Sequence, residues 1–152
     1  MSNQIRLATL QDAAAISQVI IQSLRHSNAQ DYTPDIIAQV EKSFSTECIL
    51  TLMGQRQVFV ATIAHQVVAT ASLDRDVVRS VFVSPAHQGI GLGRKLMATL
   101  QAVANDANID VLRVPSSITA EGFYVKLGFR KVRDEFHGAE RTIIMELRLS
   151  PD

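Results

Sequence analysis

Residues 85–97 read PAHQGIGLGRKLM, that is Pro85-Ala86-His87-Gln88-Gly89-Ile90-Gly91-Leu92-Gly93-Arg94-Lys95-Leu96-Met97. Three of the chain's seven glycines alternate here, followed at once by two cations and an apolar helical pattern. Glycine lets backbone approach a ligand closely, and the first turn of a helix has N–H groups without internal acceptors. Those donors suit phosphate oxygens. Cations such as Arg94 and Lys95 at a helix start oppose its dipole, costing roughly 0.3–1 kcal/mol unless an anion sits there. Spacing removes two phosphate motifs. A dinucleotide fingerprint begun at Gly89 needs glycine where Arg94 stands, one begun at Gly91 needs it at Leu96, and the Gly-Lys-Ser/Thr of a P-loop is absent. A phosphate-type grip and a plain glycine-rich turn with two solvated cations both remain.

Outward from this stretch the elements alternate in type. Behind it, strands are expected over 58–63, 67–73 and 77–83; the first two form an antiparallel hairpin around Ala64-His65-Gln66, and Ser84-Pro85 ends the third. Earlier still, a short strand over 5–7 precedes a helix capped by Thr9 with Ala13, Ile16, Val19, Ile20 and Leu24 on one face. Residues 26–31 are polar and loop-like, and Thr33-Pro34 opens a second helix carrying Ile36, Ile37, Val40 and Phe44. Ahead of it, Leu96, Met97, Leu100, Val103, Ala104 and Ala107 form one helical stripe, followed by a strand over 109–114. A strand, a long crossover helix and a strand imply parallel pairing. Ala120, Phe123, Tyr124 and Leu127 mark a short helix that Gly128 ends, and strands over 129–136 and 141–149 close the order. The result is an α/β (α+β) layout, a mixed, mostly antiparallel central sheet flanked by helices.

Composition narrows function by exclusion. A chain of 152 residues without repeats or linkers is expected to form one domain, 1–152. Fifteen cationic and fifteen acidic residues leave no net field for a nucleic acid or a membrane surface, so any attraction to an anion is local. No apolar run approaches the ~18 residues of a membrane span, and no leader pattern opens the chain, so a soluble, unprocessed protein is expected. The single cysteine, Cys48, lies in an apolar stretch and reads as buried rather than nucleophilic; there is no zinc spacing, so no metal is expected. A reduced, cytoplasmic setting follows.

Two ordered motifs then carry a resemblance. Gln88-Gly89-Ile90-Gly91-Leu92-Gly93, after Val81-Phe82-Val83-Ser84-Pro85, resembles the Q/R-x-x-G-x-G/A acyl-CoA loop of the GNAT acyltransferase superfamily. Phe123-Tyr124-Val125-Lys126-Leu127-Gly128-Phe129 resembles that family's late F-Y-x-K-L-G-F segment, and a strand lies between the two as it should. The likeness is specific over about 77–130; before that only the order of elements agrees. The resemblance implies acetyl-CoA as cosubstrate and transfer of its acetyl group to a primary amine of a small molecule or peptide by direct attack. It implies that backbone groups of Val81, Phe82 and Val83 pair with the pantetheine arm between splayed strands. It implies that N–H groups of Gln88, Gly89, Ile90, Gly91, Leu92, Gly93 and Arg94 hold the pyrophosphate, and that Tyr124 protonates the departing thiolate. Tyr124 equally fits an apolar helix face, where core tyrosines are common.

Three positions depart from the pattern. Ser117 stands where many members have an asparagine and is expected to cap the helix or reach the cofactor. Arg79 stands where many carry a glutamate, and an arginine cannot act as a base. It either faces the acceptor and favours a carboxylate there, or pairs with an aspartate on the strand. Asp74 and Asp76 could act through water or simply occupy a solvated turn. His87, where relatives differ, either donates to phosphate or is merely exposed. The acceptor is expected near 26–32 and 137–140, with Asp31, Tyr32, Asp134 and Glu135 as acidic or polar candidates. A non-catalytic acyl-CoA sensor is the alternative, and the resemblance allows a homodimer.

Overall fold

The computed structural model describes residues 3–149. It has seven strands and five α-helices: β1 (Asn3–Leu7), α1 (Ala13–His26), α2 (Pro34–Lys42), α3 (Thr46–Met53), β2 (Gln57–Ile63), β3 (Gln66–Asp74), β4 (Val77–Val83), α4 (Leu92–Asp106), β5 (Val111–Ser116), α5 (Glu121–Lys126), β6 (Arg130–His137) and β7 (Glu140–Arg148). They form one sheet in the order β1-β2-β3-β4-β5-β7-β6. Every neighbouring pair is antiparallel except β4 and β5, which run parallel. The crossover inferred from α4 is therefore present, and so is the mixed, mostly antiparallel sheet.

Two apolar clusters cover the sheet. Leu96, Met97, Leu100 and Ala104 of α4 meet Ala69, Ala71 and Leu73 of β3, Val78 of β4, Leu112 and Val114 of β5, and Ile143 and Met145 of β7 on one face. Each large side chain so buried stabilises the fold by about 1.5–3 kcal/mol. On the other face Ile16, Ile20 and Leu24 of α1, Ile37 of α2 and Ile49 of α3 pack on Val58 and Val60 of β2. That second layer reaches β4 through Phe82, whose ring meets Phe44 edge-on at 5.8 Å. The far half of the same face, over β5, β7 and β6, is left to line a cleft.

Local chemistry accounts for most boundaries. Asp12 accepts from the Thr9 N–H at 2.7 Å, holding a single 3₁₀ turn (Leu10–Asp12) that leads into α1. Thr33 Oγ1 accepts from Ile36 N–H, and Pro34 takes the first position of α2. Ala64 and His65 both adopt positive φ, as a two-residue hairpin turn requires, without the usual glycine. Helix α3 has no counterpart among the sequence expectations. Ser45 caps it through Cys48 N–H, and only Ile49 is fully buried on it. Cys48 is half-buried rather than buried, because its side chain lies on the flank of α3 beside the Lys42 carbonyl. Strand β5 begins at Val111, two residues late, because Ile109 N–H still bonds the α4 carbonyl of Ala104.

Candidate active site

Strands β4 and β5 pair in one register position, Val77 with Arg113, and then part. A cleft of about 1450 Å³ occupies the gap and continues over the uncovered face of the sheet. Its mouth is the glycine loop. Gly89 and Gly91 have φ of 82° and 86°, and a Cβ built on either meets nothing within 4 Å. The first helical bond of α4 runs from Lys95 N–H to the Gly91 carbonyl. No backbone N–H from Gln88 to Arg94 finds an acceptor among the described residues. Left-handed glycines, orphan donors and open space in front of them fit a phosphate group.

The side chains of the loop divide. Arg94 lines the cleft, whereas Lys95 turns away to Asn3 Oδ1 at 3.0 Å. Leu92 is buried in the core, so only its backbone is offered, and the Ile90 side chain is exposed outside the cleft. The Gln88 amide donates to Ser27 Oγ at 3.0 Å and to the Val83 carbonyl at 3.2 Å, tying the loop to the end of α1. His87 lines the cleft with a buried Nδ1 that has no partner among the described residues. Gly93 is needed for another reason: a Cβ there comes within 3.2 Å of the Phe123 ring. The glycine loop and the Phe123-Tyr124 segment are thus in physical contact.

Tyr124 is almost fully buried yet lines the cleft. Its ring meets Phe123 at 5.1 Å and Phe129 at 5.4 Å, both edge-on, and its hydroxyl has no hydrogen-bond partner among the described residues. Burial pushes its pKa far up, because the phenolate would lose its hydration. Tyr124 is thus a core ring that also borders the cleft. Ser117 Oγ accepts from Ala120 N–H at 3.1 Å, capping the turn before α5 while lining the cleft.

Strand β4 carries a bulge. Ser72 faces Arg79 and Thr70 faces Phe82, so Ala71 stands opposite both Ser80 and Val81. Ser80 takes a φ of 55° to allow it. The sequence shows no sign of this bulge, since Ser80 lies in an otherwise regular β-branched run. Arg56, also not singled out from sequence, lines the cleft and donates to Ser80 Oγ at 3.3 Å.

The remaining candidates are brought together unevenly. Arg79 lines the cleft and pairs with Asp74 at 3.6 Å, as the second of its two readings has it. Asp76 is held by Arg113, which also binds Glu146 at 3.1 Å. Tyr32 crosses the cleft: its hydroxyl accepts from Ile118 N–H at 2.7 Å and donates to the Arg141 carbonyl at 3.3 Å. Asp31 accepts from Thr119 at 2.8 Å beside it. Asp134 is not in the cleft; it is taken by Lys131 and Arg141. Glu135 is in the cleft but paired with Arg133, while Glu140 lines it with no ion-pair partner among the described residues. Those residues contain no group of three potential metal ligands and no helix long and apolar enough to cross a membrane.

Comparison with known proteins adds three kinds of finding. The family model described as an acetyltransferase (GNAT) domain matches residues 28–149. No curated protein matches the chain in sequence. Among solved structures, a GCN5-related N-acetyltransferase from Rhodopseudomonas palustris superposes with a TM-score of 0.91 at 20% identity, over 97% of this chain and 96% of that one. An N-acetyltransferase from Thermoplasma acidophilum, solved with coenzyme A, gives 0.83 at 18% identity over 97% and 99%. A Salmonella typhimurium protein solved with its cofactor acetyl-CoA gives 0.67 at 26% identity over 100% and 96%.

Proposed function

The chain belongs to the GNAT acetyltransferase family, and from that premise we propose that it moves the acetyl group of acetyl-CoA onto a primary amine by direct attack, as one domain. The observation that carries this reading is the run of N–H groups from Gln88 to Arg94 that find no acceptor among the described residues, opening onto the same cleft as the Tyr124 ring. Coenzyme A or acetyl-CoA accompanies two of the similar structures, which supports the cosubstrate.

On this reading the N–H groups of Gln88, Gly89, Ile90, Gly91, Leu92, Gly93 and Arg94 hold the pyrophosphate, with the Arg94 guanidinium adding charge. The free edge of β4 at Val81, Phe82 and Val83 pairs with the pantetheine arm in place of the missing β5 contacts. Ser117 stays a helix cap at the cleft wall. The neutral amine attacks the thioester carbonyl carbon, a backbone N–H of 81–83 stabilises the oxyanion, and the C–S bond breaks. Tyr124 gives its proton to the departing sulfur, and the amine's extra proton leaves to water. A phenol is protonated at neutral pH, and burial only strengthens its hold on the proton, so Tyr124 carries the proton that role requires.

The test is CoA thiol release from acetyl-CoA with pooled amines. Turnover is expected, with kcat lowered about 100-fold or more in Tyr124→Phe and acetyl-CoA binding unchanged. Gly91→Asp places a carboxylate in the open space of the loop and is expected to abolish acetyl-CoA binding. Unaltered binding in that variant removes the pyrophosphate assignment. Binding without turnover of any amine marks an acyl-CoA sensor instead.

A further inference from the structure

Three cations lining the cleft are paired with acids among the described residues, and a fourth, Arg56, is half-buried without one. Arg113 is held by Asp76 and Glu146, Arg133 by Glu135, and Arg79 loosely by Asp74 at 3.6 Å. Arg94 and Lys126 have no acidic partner among the described residues either, but they are exposed residues of α4 and α5, where water serves them. Arg56 is different. It is half-buried at the cleft wall, just before β2, with its backbone fixed to the end of α3 by Arg56 N–H to the Leu52 carbonyl at 3.0 Å. Its guanidinium makes one hydrogen bond, to the neutral Ser80 hydroxyl, and no ion pair among the described residues.

A guanidinium has five N–H donors, so most of those on Arg56 are unspent among the described residues. A second cation, Arg79, lines the same cleft within electrostatic reach, and the two repel. Desolvation and that repulsion both work against the charged form of Arg56, and the Asp74 carboxylate that pairs with Arg79 offsets only part of it. A half-buried cation held beside another cation is an unfavourable arrangement for the protein alone. An anion in the cleft reverses its sign, and a planar carboxylate matches the fork of an arginine best. The position is informative too. Ser80 is the bulge residue next to Val81, at the strand segment proposed to hold the thioester, so a group bound there sits on the acceptor's side of the reaction.

We propose that Arg56, assisted by Arg79, binds a carboxylate carried by the acceptor, and that the acceptor class is therefore a small amine with a nearby carboxylate, of the α-amino-acid kind. This rests on the acetyl-transfer reading above and deepens it. The arginine anchors one end of the acceptor while the amine, a few bonds away, points to the thioester. An amine without the acid group leaves Asp74 alone to offset the repulsion between Arg56 and Arg79.

The experiment compares the common α-amino acids, each against its own α-carboxamide, in CoA release with acetyl-CoA. Acids are expected to exceed amides in kcat/KM by about 10- to 100-fold for at least one side chain, the span of a charged hydrogen-bonded pair. In Arg56→Gln that preference is expected to vanish, and in Arg56→Lys to survive in part, with the KM for acetyl-CoA unchanged in both. Calorimetry with N-acetylglycine and N-acetylglycinamide on the unmodified protein gives a readout independent of turnover, the acid binding and the amide binding more weakly. Equal turnover of acids and amides, turnover only of amines lacking an acid group, or a preference that persists in Arg56→Gln overturns the carboxylate assignment while acetyl transfer stands. Failure of acetyl-CoA to bind overturns the proposed function itself. The N-acetylglycine pair then decides the anion site alone: Arg56-dependent binding of the acid upholds it, and equal binding of acid and amide ends it.

Discussion

At the scale of single residues, Tyr124 and Gly93 show how one cleft makes opposite demands on its wall. Burial raises the Tyr124 phenol well above its ordinary value. In the unfolded chain that phenol ionises near about pH 10, whereas in the folded chain it keeps its proton. The unfolded state then binds fewer protons, so stability falls as pH climbs past about 10 and gains no slope from this group below it. Tyr32, also raised chiefly by burial, contributes in the same direction. Melting curves from about pH 8 to about pH 11 should show the decline, and Tyr124→Phe should make it shallower. Gly93→Ala sets two effects against each other. Alanine favours a helix by ~1 kcal/mol, but a Cβ 3.2 Å from the Phe123 ring forces an overpacking cost of about 1–3 kcal/mol. A net loss of stability on denaturant titration is expected, together with lower kcat, because the displaced ring rests on Tyr124. Tyr124 and the glycines are legible in the sequence because their motif is local. Arg56 is not, because what distinguishes it is the absence of an acid partner, a property of the folded surroundings.

Elements act here by what they leave unpaired. The segment before α2 is pinned across the cleft by Asp31, which accepts from Thr119, and beside it by Tyr32, whose hydroxyl accepts from Ile118 N–H. Tyr32→Phe strands that donor in a half-buried place, a cost of about 1–2 kcal/mol, which for a chain of this size lowers Tm by roughly 2–8 °C. Differential scanning calorimetry measures it directly. Along β4, one edge is occupied by β3 while the other is free beyond Val77. Adding acetyl-CoA should slow amide exchange in 81–83 and 88–94 while leaving β2, paired on both sides, unchanged. Exchange that stays fast in the loop with acetyl-CoA at saturation would contradict the assignment of those donors. Helix α3 shows why a reading by periodicity misses short elements. It is eight residues long with one fully buried side chain, so its apolar residues draw no stripe, and only the Ser45 cap announces it. The bulge at Ser80 is hidden for a related reason: its cause lies in the mismatch between β4 and β3, not in the residue itself.

For the molecule as a whole, the order of elements apart from α3 is readable because each hydrophobic period is written in contiguous residues. The parting of β4 from β5, which makes the cleft, is a relation between distant segments that no local period records and that only the family resemblance implies. The outer strand β6 is exposed along its length, with Phe136 on it 65% accessible, yet Lys131, Arg133, Asp134 and Glu135 place ion-paired charges along it. Charged edges resist strand-to-strand pairing between copies. A homodimer, allowed by resemblance, is therefore expected to avoid β6; light scattering gives the oligomeric state, and cross-links mapped to β6 would contradict this. The strand order also has a temporal side. Strands β1 to β4 lie in the sheet as they lie in the chain, so each finds its neighbour as soon as it is made. Beyond the crossover that ceases: β7 stands between β5 and β6, and β6 has no partner but β7. During synthesis β6 therefore waits, unpaired, for a strand not yet translated, and its dense charge keeps it soluble through that interval.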